Sequence, residues 1–256
     1  MNTSESSVSA IIPAYNAAPY LAEAVESILG QNYQPLEILI VDDGSTDGTP
    51  EVASRFAGSN VRYIRQPHSG SPFALNNGLR NAGGNLICFL DSDDVWTPDK
   101  LALQVPLIMQ DATVEIVLSH QRRMWRPQGG SDYRFTEPEL ALHPQSCVFR
   151  RSVFDKVGLF DTSFKYAADW DWFMRARELG VKFVVHLEVT NYYRRHGNNL
   201  SNDDASAKAA LLMLKRSLER RRARGGTGIA FSLPSLLESL RASAGPAAST
   251  PMKGEE

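Results

Sequence analysis

The sequence predicts an α/β protein: an open, mostly parallel sheet with helices on both faces, plus a C-terminal basic helix. Three observations carry this reading. Short apolar runs of strand length alternate with segments of helical periodicity through the first hundred residues. Those runs are apolar throughout instead of alternating, as strands covered on both faces require. Three of the helical segments begin with a hydroxyl residue followed by proline (Thr49-Pro50, Ser71-Pro72 and Thr97-Pro98), the pattern of a capped helix start.

Taken in order, residues 7–13 (SVSAIIP) form the first strand, followed by a helix whose Leu21, Ala24, Val25, Ile28 and Leu29 recur at helical spacing. Residues 36–41 (LEILIV) are the second strand, after which Thr49 is expected to cap a helix. Residues 61–66 make the third strand and Ser71 opens the next helix. Residues 86–90 are the fourth strand, and Thr97 opens a helix that Pro106 is expected to kink or end. The second half is less regular. Strands are expected at 114–119, 146–150, 181–187 and 190–195, with a helix over 169–179 carrying Trp170, Phe173, Met174 and Arg177 on one side. Residues 121–138 are polar, with Gly129-Gly130, and read as a long excursion or hairpin over the surface. No internal repeat is present.

Residues 208–224 carry Lys208, Lys215, Arg216, Arg220, Arg221, Arg222 and Arg224 against Glu219 alone, with Leu211, Leu214 and Leu218 as an apolar stripe. Such a helix either packs on the domain through its leucines or meets an anionic membrane surface. The expected organisation is a domain over 1–201, divided near residue 110, then a basic amphipathic helix over 202–224 and a flexible tail over 225–256.

Composition narrows the class. The chain has 256 residues with 27 basic and 29 acidic side chains, a net charge of −2, which disfavours a nucleic-acid binder. No apolar run approaches the roughly 20 residues of a membrane span, and the N-terminus lacks the pattern of a signal peptide. A cytoplasmic location is expected, with peripheral contact at the inner membrane face as an option. Cys88 and Cys147 sit in apolar strand segments and read as reduced core residues, not as a bridge or a thiol catalyst.

The chemistry lies just after the strands, where open parallel sheets bind their ligands. Pro13-Ala14-Tyr15-Asn16 ends the first strand, Asp42-Asp43-Gly44-Ser45-Thr46-Asp47-Gly48-Thr49 follows the second, and Asp91-Ser92-Asp93-Asp94 follows the fourth. Carboxylates thus converge on one sheet edge from distant loops, and a divalent cation such as Mg2+ or Mn2+ resolves their repulsion. Other readings fit less well. A calcium loop starting at Asp43 would need a bidentate Glu where Ser54 stands. A dinucleotide fingerprint would need glycines where PAYNAA stands. The five histidines show no paired zinc spacing.

In their order and spacing, IIPAYN, LEILIVDDGSTDGT, GGNLICFLDSDD, VGLFDTSF and ADWDWFMRA resemble glycosyltransferase family 2, which has the GT-A fold. The resemblance runs from about Val8 to about Ser201 and leaves the basic tail outside. It implies transfer of a sugar from a nucleotide-sugar donor, UDP-linked by default, to an acceptor hydroxyl with inversion at the anomeric carbon. The acceptor would be a saccharide or a lipid-linked glycan in cell-surface glycan assembly. Carried over by motif, Pro13 and Tyr15 pack on the nucleotide base, Asp43 hydrogen-bonds its edge and Asp91 faces the ribose. Asp93 ligates the metal, and His196 assists the metal or the leaving group. Asp169 is the base that takes the acceptor's proton, with Asp171 as its rival. Tyr192, Arg194 and Arg195 line the acceptor or diphosphate side, or else belong to a structural strand.

The chain departs from the family pattern where Ala168 precedes Asp169 in place of the usual Glu, and where His68 and Leu75 replace Asn and Arg. A catalytically silent nucleotide-sugar-binding or scaffolding protein is therefore the second reading. A sugar-nucleotide pyrophosphorylase is excluded by the absence of a Gly-rich basic loop after the first strand.

Overall fold

The computed structural model describes residues 6–34, 36–58, 60–128, 130–140, 142–164, 167–197 and 205–223, the side chains of the last segment from Leu212 onward. The expected tail over 225–256, and the side chains of Lys208, Leu211 and Arg224, lie outside the described residues.

Among the described residues, ten strands form one sheet. Strands β1 (Val8–Ala14), β2 (Leu36–Asp42), β3 (Val61–Arg65) and β4 (Leu86–Phe89) are parallel in the order β3-β2-β1-β4. β5 (Val95–Trp96) follows at once and ends up at the far edge of the sheet. β6 (Ile116–Trp125) carries two short antiparallel partners, β7 (Arg134–Phe135) and β8 (Glu139–Leu140). β9 (Cys147–Arg150) is antiparallel to both β4 and β6 and joins them. β10 (Phe183–Arg194) runs parallel to β6 and antiparallel to β5. The sheet is therefore mixed and mostly parallel.

Alternation along the strands feeds two cores. Ile11, Leu39, Val41, Ile87 and Phe89 face one side, where they meet α3 (Ser71–Asn81), α5 (Ser152–Val157) and α6 (Ala168–Glu178). Ala10, Ile12, Ile38, Ile40 and Cys88 face the other, where they meet α1 (Leu21–Leu29), α2 (Thr49–Ser54) and α4 (Lys100–Gln110). Side chains one residue apart point to opposite faces of a strand, which is why the continuous apolar runs are needed. Both cysteines are free and buried, and burial pushes each thiol up to about 12.

Several local expectations change. Gly48 and Gly70, not Thr49 and Ser71, occupy the positions before α2 and α3, and neither helix has a side-chain cap. The Thr49 hydroxyl instead donates to Asp47 and accepts from the Ala17 N–H. Pro106 lies inside α4 without ending it, because its ring is on the exposed face, where water can satisfy the carbonyl it leaves unpaired. The two strands expected over 181–195 are one strand, β10, with register irregularities between His186 and Asn191. The polar stretch over 121–138 forms a hairpin: β6 extends to Trp125, and β7 returns antiparallel to it with Phe135 opposite Met124 and Arg134 opposite Trp125.

The basic helix is α7 (Ala205–Ala223), and it docks on α6. Met213 is buried and Leu214 packs on the core around Trp172. Arg216 pairs with Asp161, while Arg220 pairs with Asp171 and Glu178. Two of the helix's cations are therefore spent on the domain itself. No helix among the described residues is long and apolar enough to cross a membrane.

Candidate active site

The topology explains why one sheet edge gathers the polar residues. β1, β2, β4, β6 and β10 all end there, and β9, running the other way, begins there. The site is thus built from five strand ends, one strand start and the amino end of α6.

The loops after β1 and β2 are fastened together. The Asn16 N–H donates to Ser45 Oγ at 2.9 Å, and Asn16 Oδ1 accepts from the Thr46 N–H at 2.8 Å. Asn16 adopts a left-handed backbone with φ 49°, which Asn tolerates better than most residues. Pro13 is buried within β1 opposite Val41, and Tyr15 emerges just beyond, about half exposed. The Tyr15 ring stacks on His68 with centroids 4.0 Å apart.

Asp43 is buried and fully engaged. Its Oδ1 accepts from Gln66 Nε2 at 2.7 Å and the Ser69 N–H at 2.9 Å. Its Oδ2 accepts from the Gly70 N–H at 2.7 Å and lies 2.8 Å from His68 Nδ1. Four donors fill the lone pairs of a carboxylate. Asp43 therefore anchors the β3–α3 loop, and through it the His68 ring under Tyr15. His68 Nδ1 also lies 3.1 Å from the Asp43 carbonyl, so it faces two acceptors and carries the hydrogen. Gly44 sits at φ +76° with its Cα against the His68 backbone, where a Cβ would come within 2.8 Å of the His68 nitrogen.

The acidic turn after β4 is held from behind by Arg194, the last residue of β10. Its backbone N–H donates to Asp94 Oδ1 at 2.7 Å, its Nε to the Asp93 carbonyl at 2.6 Å, and its Nη2 to Glu23 at 2.7 Å. A further bond reaches the Tyr133 hydroxyl, and the guanidinium lies over the Tyr20 ring. Arg194 is a buried brace for the acidic turn. Neighbouring Tyr192 packs on Phe135, while Arg195 is exposed.

Negative charge accumulates at this turn. Crowding by protein and the neighbouring carboxylates of Asp93 and Asp169 push the Asp91 carboxyl up to about 7, against the pull of His143, even though Asp91 is an exposed residue. Burial, Asp93 and Asp91 hold the Asp94 carboxyl well above the usual carboxylate range, and its Oδ2 has no hydrogen-bond partner. Asp93 Oδ2 meets His196 Nε2 at 2.8 Å, and the His196 ring stacks on Tyr20. Among the described residues no three metal-ligating side chains converge on one point. An uncompensated acidic turn with one carboxylate–imidazole pair fits a hard divalent cation that takes its other ligands from phosphate and water.

Asp169 and Asp171 separate cleanly. Both lie in the first turn of α6, whose N-cap position is Ala167 in the left-handed region, so Asp169 is a first-turn residue and not the cap. Asp169 faces the site, with Oδ2 3.7 Å from His143 Nδ1. Asp171 points into the protein, where Arg175 Nε and Arg220 Nη1 bind its two oxygens at 2.8 and 2.9 Å. The rival base is an ion-paired structural residue.

The sheet edge thus brings together Tyr15, Asp91, Asp93, Asp169 and His196, with Pro13 and Asp43 beneath or behind them. His143 is the residue that sequence reasoning missed. It precedes an antiparallel strand, and only the reversed direction of β9 carries it to the edge where β4 ends.

A mixed, mostly parallel α/β sheet with acidic loops gathered at its carboxyl edge is the arrangement of the GT-A fold. Residues 9–158 match the family model of Glycosyl transferase family 2. The chain belongs to that family. It is 32% identical over 203 residues to an uncharacterized glycosyltransferase of Rickettsia typhi, covering 71% of this chain and 62% of that one. It is 34% identical over 231 residues to the chondroitin synthase of Pasteurella multocida, covering 84% of this chain and 23% of that one. The chain thus spans about three fifths of the first relative and under a quarter of the synthase.

Among solved structures, the mannosyltransferase PcManGT of Pyrobaculum calidifontis in complex with GDP-Man and Mn2+ superposes with a TM-score of 0.66 at 25% identity. The match covers 93% of this chain and 68% of that one. S. aureus TarS in complex with UDP-GlcNAc shares the fold, with a TM-score of 0.67 at 22% identity, over 81% of this chain and 65% of that one.

Proposed function

We propose that the chain is a divalent-metal-dependent, inverting glycosyltransferase that moves a sugar from a nucleotide-sugar to an acceptor hydroxyl. The observation that carries this reading is the acidic turn at Asp91–Asp94 on the carboxyl edge of the sheet, with the Asp169 carboxylate close enough to raise the Asp91 carboxyl. Asp93 and His196 would hold Mn2+ or Mg2+, which when bound neutralises the charge developing on the departing diphosphate. The residues over 1–110 serve the donor and those over 111–201 the acceptor.

Tyr15 offers a ring face to the nucleotide base, with Pro13 as the buried support of its strand. Asp43 acts on the base through the loop and His68 ring that it fixes. Asp91 faces the ribose. Asp169 accepts the acceptor's proton as the hydroxyl oxygen bonds to the anomeric carbon, while the bond to the diphosphate breaks with its electron pair. One displacement from the face opposite the leaving group inverts the centre. Positioned proton removal contributes about 10² to 10⁴ in rate.

UDP is the default donor nucleotide, with GDP as the alternative that the PcManGT complex raises. The acceptor is a saccharide or lipid-linked glycan of cell-surface assembly, a reading that the chondroitin synthase relative supports. In a cytoplasmic enzyme, a peripheral contact with anionic membrane would fall to Lys215 and Arg222, because Arg216 and Arg220 face the domain. The test is release of nucleoside diphosphate from UDP-GlcNAc and GDP-mannose with Mn2+. Turnover by the wild type that is lost in Asp169→Asn supports the reading. Nucleotide binding with no turnover of either donor favours the silent scaffold.

A further inference from the structure

We infer that His143 is a positioning residue for Asp169: its Nδ1 holds carboxylate oxygen Oδ2, leaving Oδ1 aimed at the acceptor hydroxyl. The inference rests on the reading of Asp169 as the base and goes beyond it.

The backbone of His143 is unusually well fixed. Its carbonyl accepts from the Ser146 N–H at 3.1 Å, the Ser146 hydroxyl at 2.8 Å and the Cys147 thiol at 3.4 Å. Pro144 follows and restricts it to the extended region, where it lies at φ −119° and ψ 142°. The ring lies nearly parallel to Tyr193 of β10, 6.2 Å between centroids. Position and ring plane are therefore set before any substrate arrives, as a group that orients another must be.

The ring then faces a carboxylate. Nδ1 lies 3.7 Å from Asp169 Oδ2, an ion-pair distance that a small shift closes to a hydrogen bond. Hydrogen bonds in ligand-free sites are commonly long and tighten when substrate binds. The other charged groups around the ring are Asp91 and Glu139, both acidic. Burial of the ring disfavours its charged form, but the bond and charge of Asp169, aided by Asp91 and Glu139, outweigh it and raise the imidazole above its ordinary value. The Asp169 carboxylate thus favours the form of the ring in which Nδ1 carries a hydrogen toward it. A carboxylate at a helix start has two oxygens and free rotation about its terminal bond. Fixing one oxygen selects the geometry of the other.

The test pairs spectroscopy with turnover. Imidazole C–H resonances of the five histidines are followed by NMR from pH 5 to 9 in the ligand-free protein, with His143→Asn assigning the relevant peak. The midpoint of His143 is expected above the ordinary imidazole value and should fall in Asp169→Asn. Nucleoside diphosphate release from UDP-GlcNAc, with water as the acceptor, is then compared in His143→Asn and His143→Gln. The Asn amide nitrogen superposes on Nδ1 and should keep most of the turnover. The Gln amide lies where Nε2 was and should lose about tenfold, with the donor KM unchanged in both. A midpoint that Asp169→Asn leaves in place overturns the inference, as do Asn and Gln variants that behave alike. Full turnover in Asp169→Asn would instead overturn the reading of Asp169 as the base. The titration still reports the contact in that case, so the two failures are distinct.

Discussion

Replacing Asp171 by Asn separates structure from chemistry in the Asp169-Trp170-Asp171 segment. The Asp171 carboxylate is 1% exposed and bridges Arg175 on its own helix to Arg220 on α7. Breaking a buried pair by removing one partner costs about 3–5 kcal/mol when the other charge is left bare. Here neither arginine is left bare, since Arg175 keeps the carbonyls of Val157 and Leu159 and Arg220 keeps Glu178. The expected loss is therefore about 2–3 kcal/mol, below that full penalty. At about 2–4 °C per kcal/mol for a chain of this size, Tm should fall by about 4–12 °C. Thermal unfolding by circular dichroism measures the shift, and donor turnover at 20 °C, below the transition, should remain within a few-fold of wild type. An unchanged Tm together with abolished turnover would refute the argument, because Asp171 would then be the base and Asp169 the bystander.

Asp169→Asn should do the reverse, lowering kcat by about 10² to 10⁴ while nucleotide affinity and Tm stay close to wild type. Gly44→Ala forces a Cβ to within 2.8 Å of the His68 backbone at a positive φ. It should cost about 1–3 kcal/mol and weaken nucleotide binding by displacing the His68–Tyr15 stack, as denaturant melts and calorimetry would report. Cation binding should be linked to protons. Asp91 has its carboxyl raised from 3.8 to about 7, so the ligand-free protein holds a proton there below pH 7 that the unfolded chain has already released. Ionising that group therefore costs folding free energy, a penalty absent below about pH 3.8 and complete above about pH 7. Mn2+ relieves it, so the Tm gained from Mn2+ should be larger at pH 8 than at pH 5.5. An equal gain at both values would contradict the electrostatics of the turn.

The parts of this protein that were readable in the sequence are those governed by local periodicity and by the strand-end rule. LEILIV could only be a strand covered on both faces, and the acids after β2 and β4 had to meet at one edge once the strands were parallel. What escaped depended on direction and on long-range partners. β9 runs antiparallel between two parallel blocks, and nothing within CVFR reveals that. Its reversal is what delivers His143 to the site. Asp43 and Asp93 look alike in sequence. One is saturated by the Gln66–Gly70 loop and the other left to His196, a difference set by residues more than twenty positions away. Residues two apart on a helix point in different directions, but only the docking of α7 shows that Asp171 is occupied by Arg220. Packing of that helix on the domain is one of two readings its sequence allows, but the sequence does not reveal that Arg216 and Arg220 serve as counterions for Asp161, Asp171 and Glu178.

The central claim is a cation-dependent nucleotide site at the edge formed by Tyr15, Asp91 and Asp93. Calorimetric titration of UDP, dTDP and GDP, with and without Mn2+, on the wild type and on Asp93→Ala tests it most directly. The account predicts that one nucleotide binds the wild type only with Mn2+, and that Asp93→Ala abolishes this binding without lowering Tm. Equal binding with and without the cation, or binding that survives in Asp93→Ala, would contradict it.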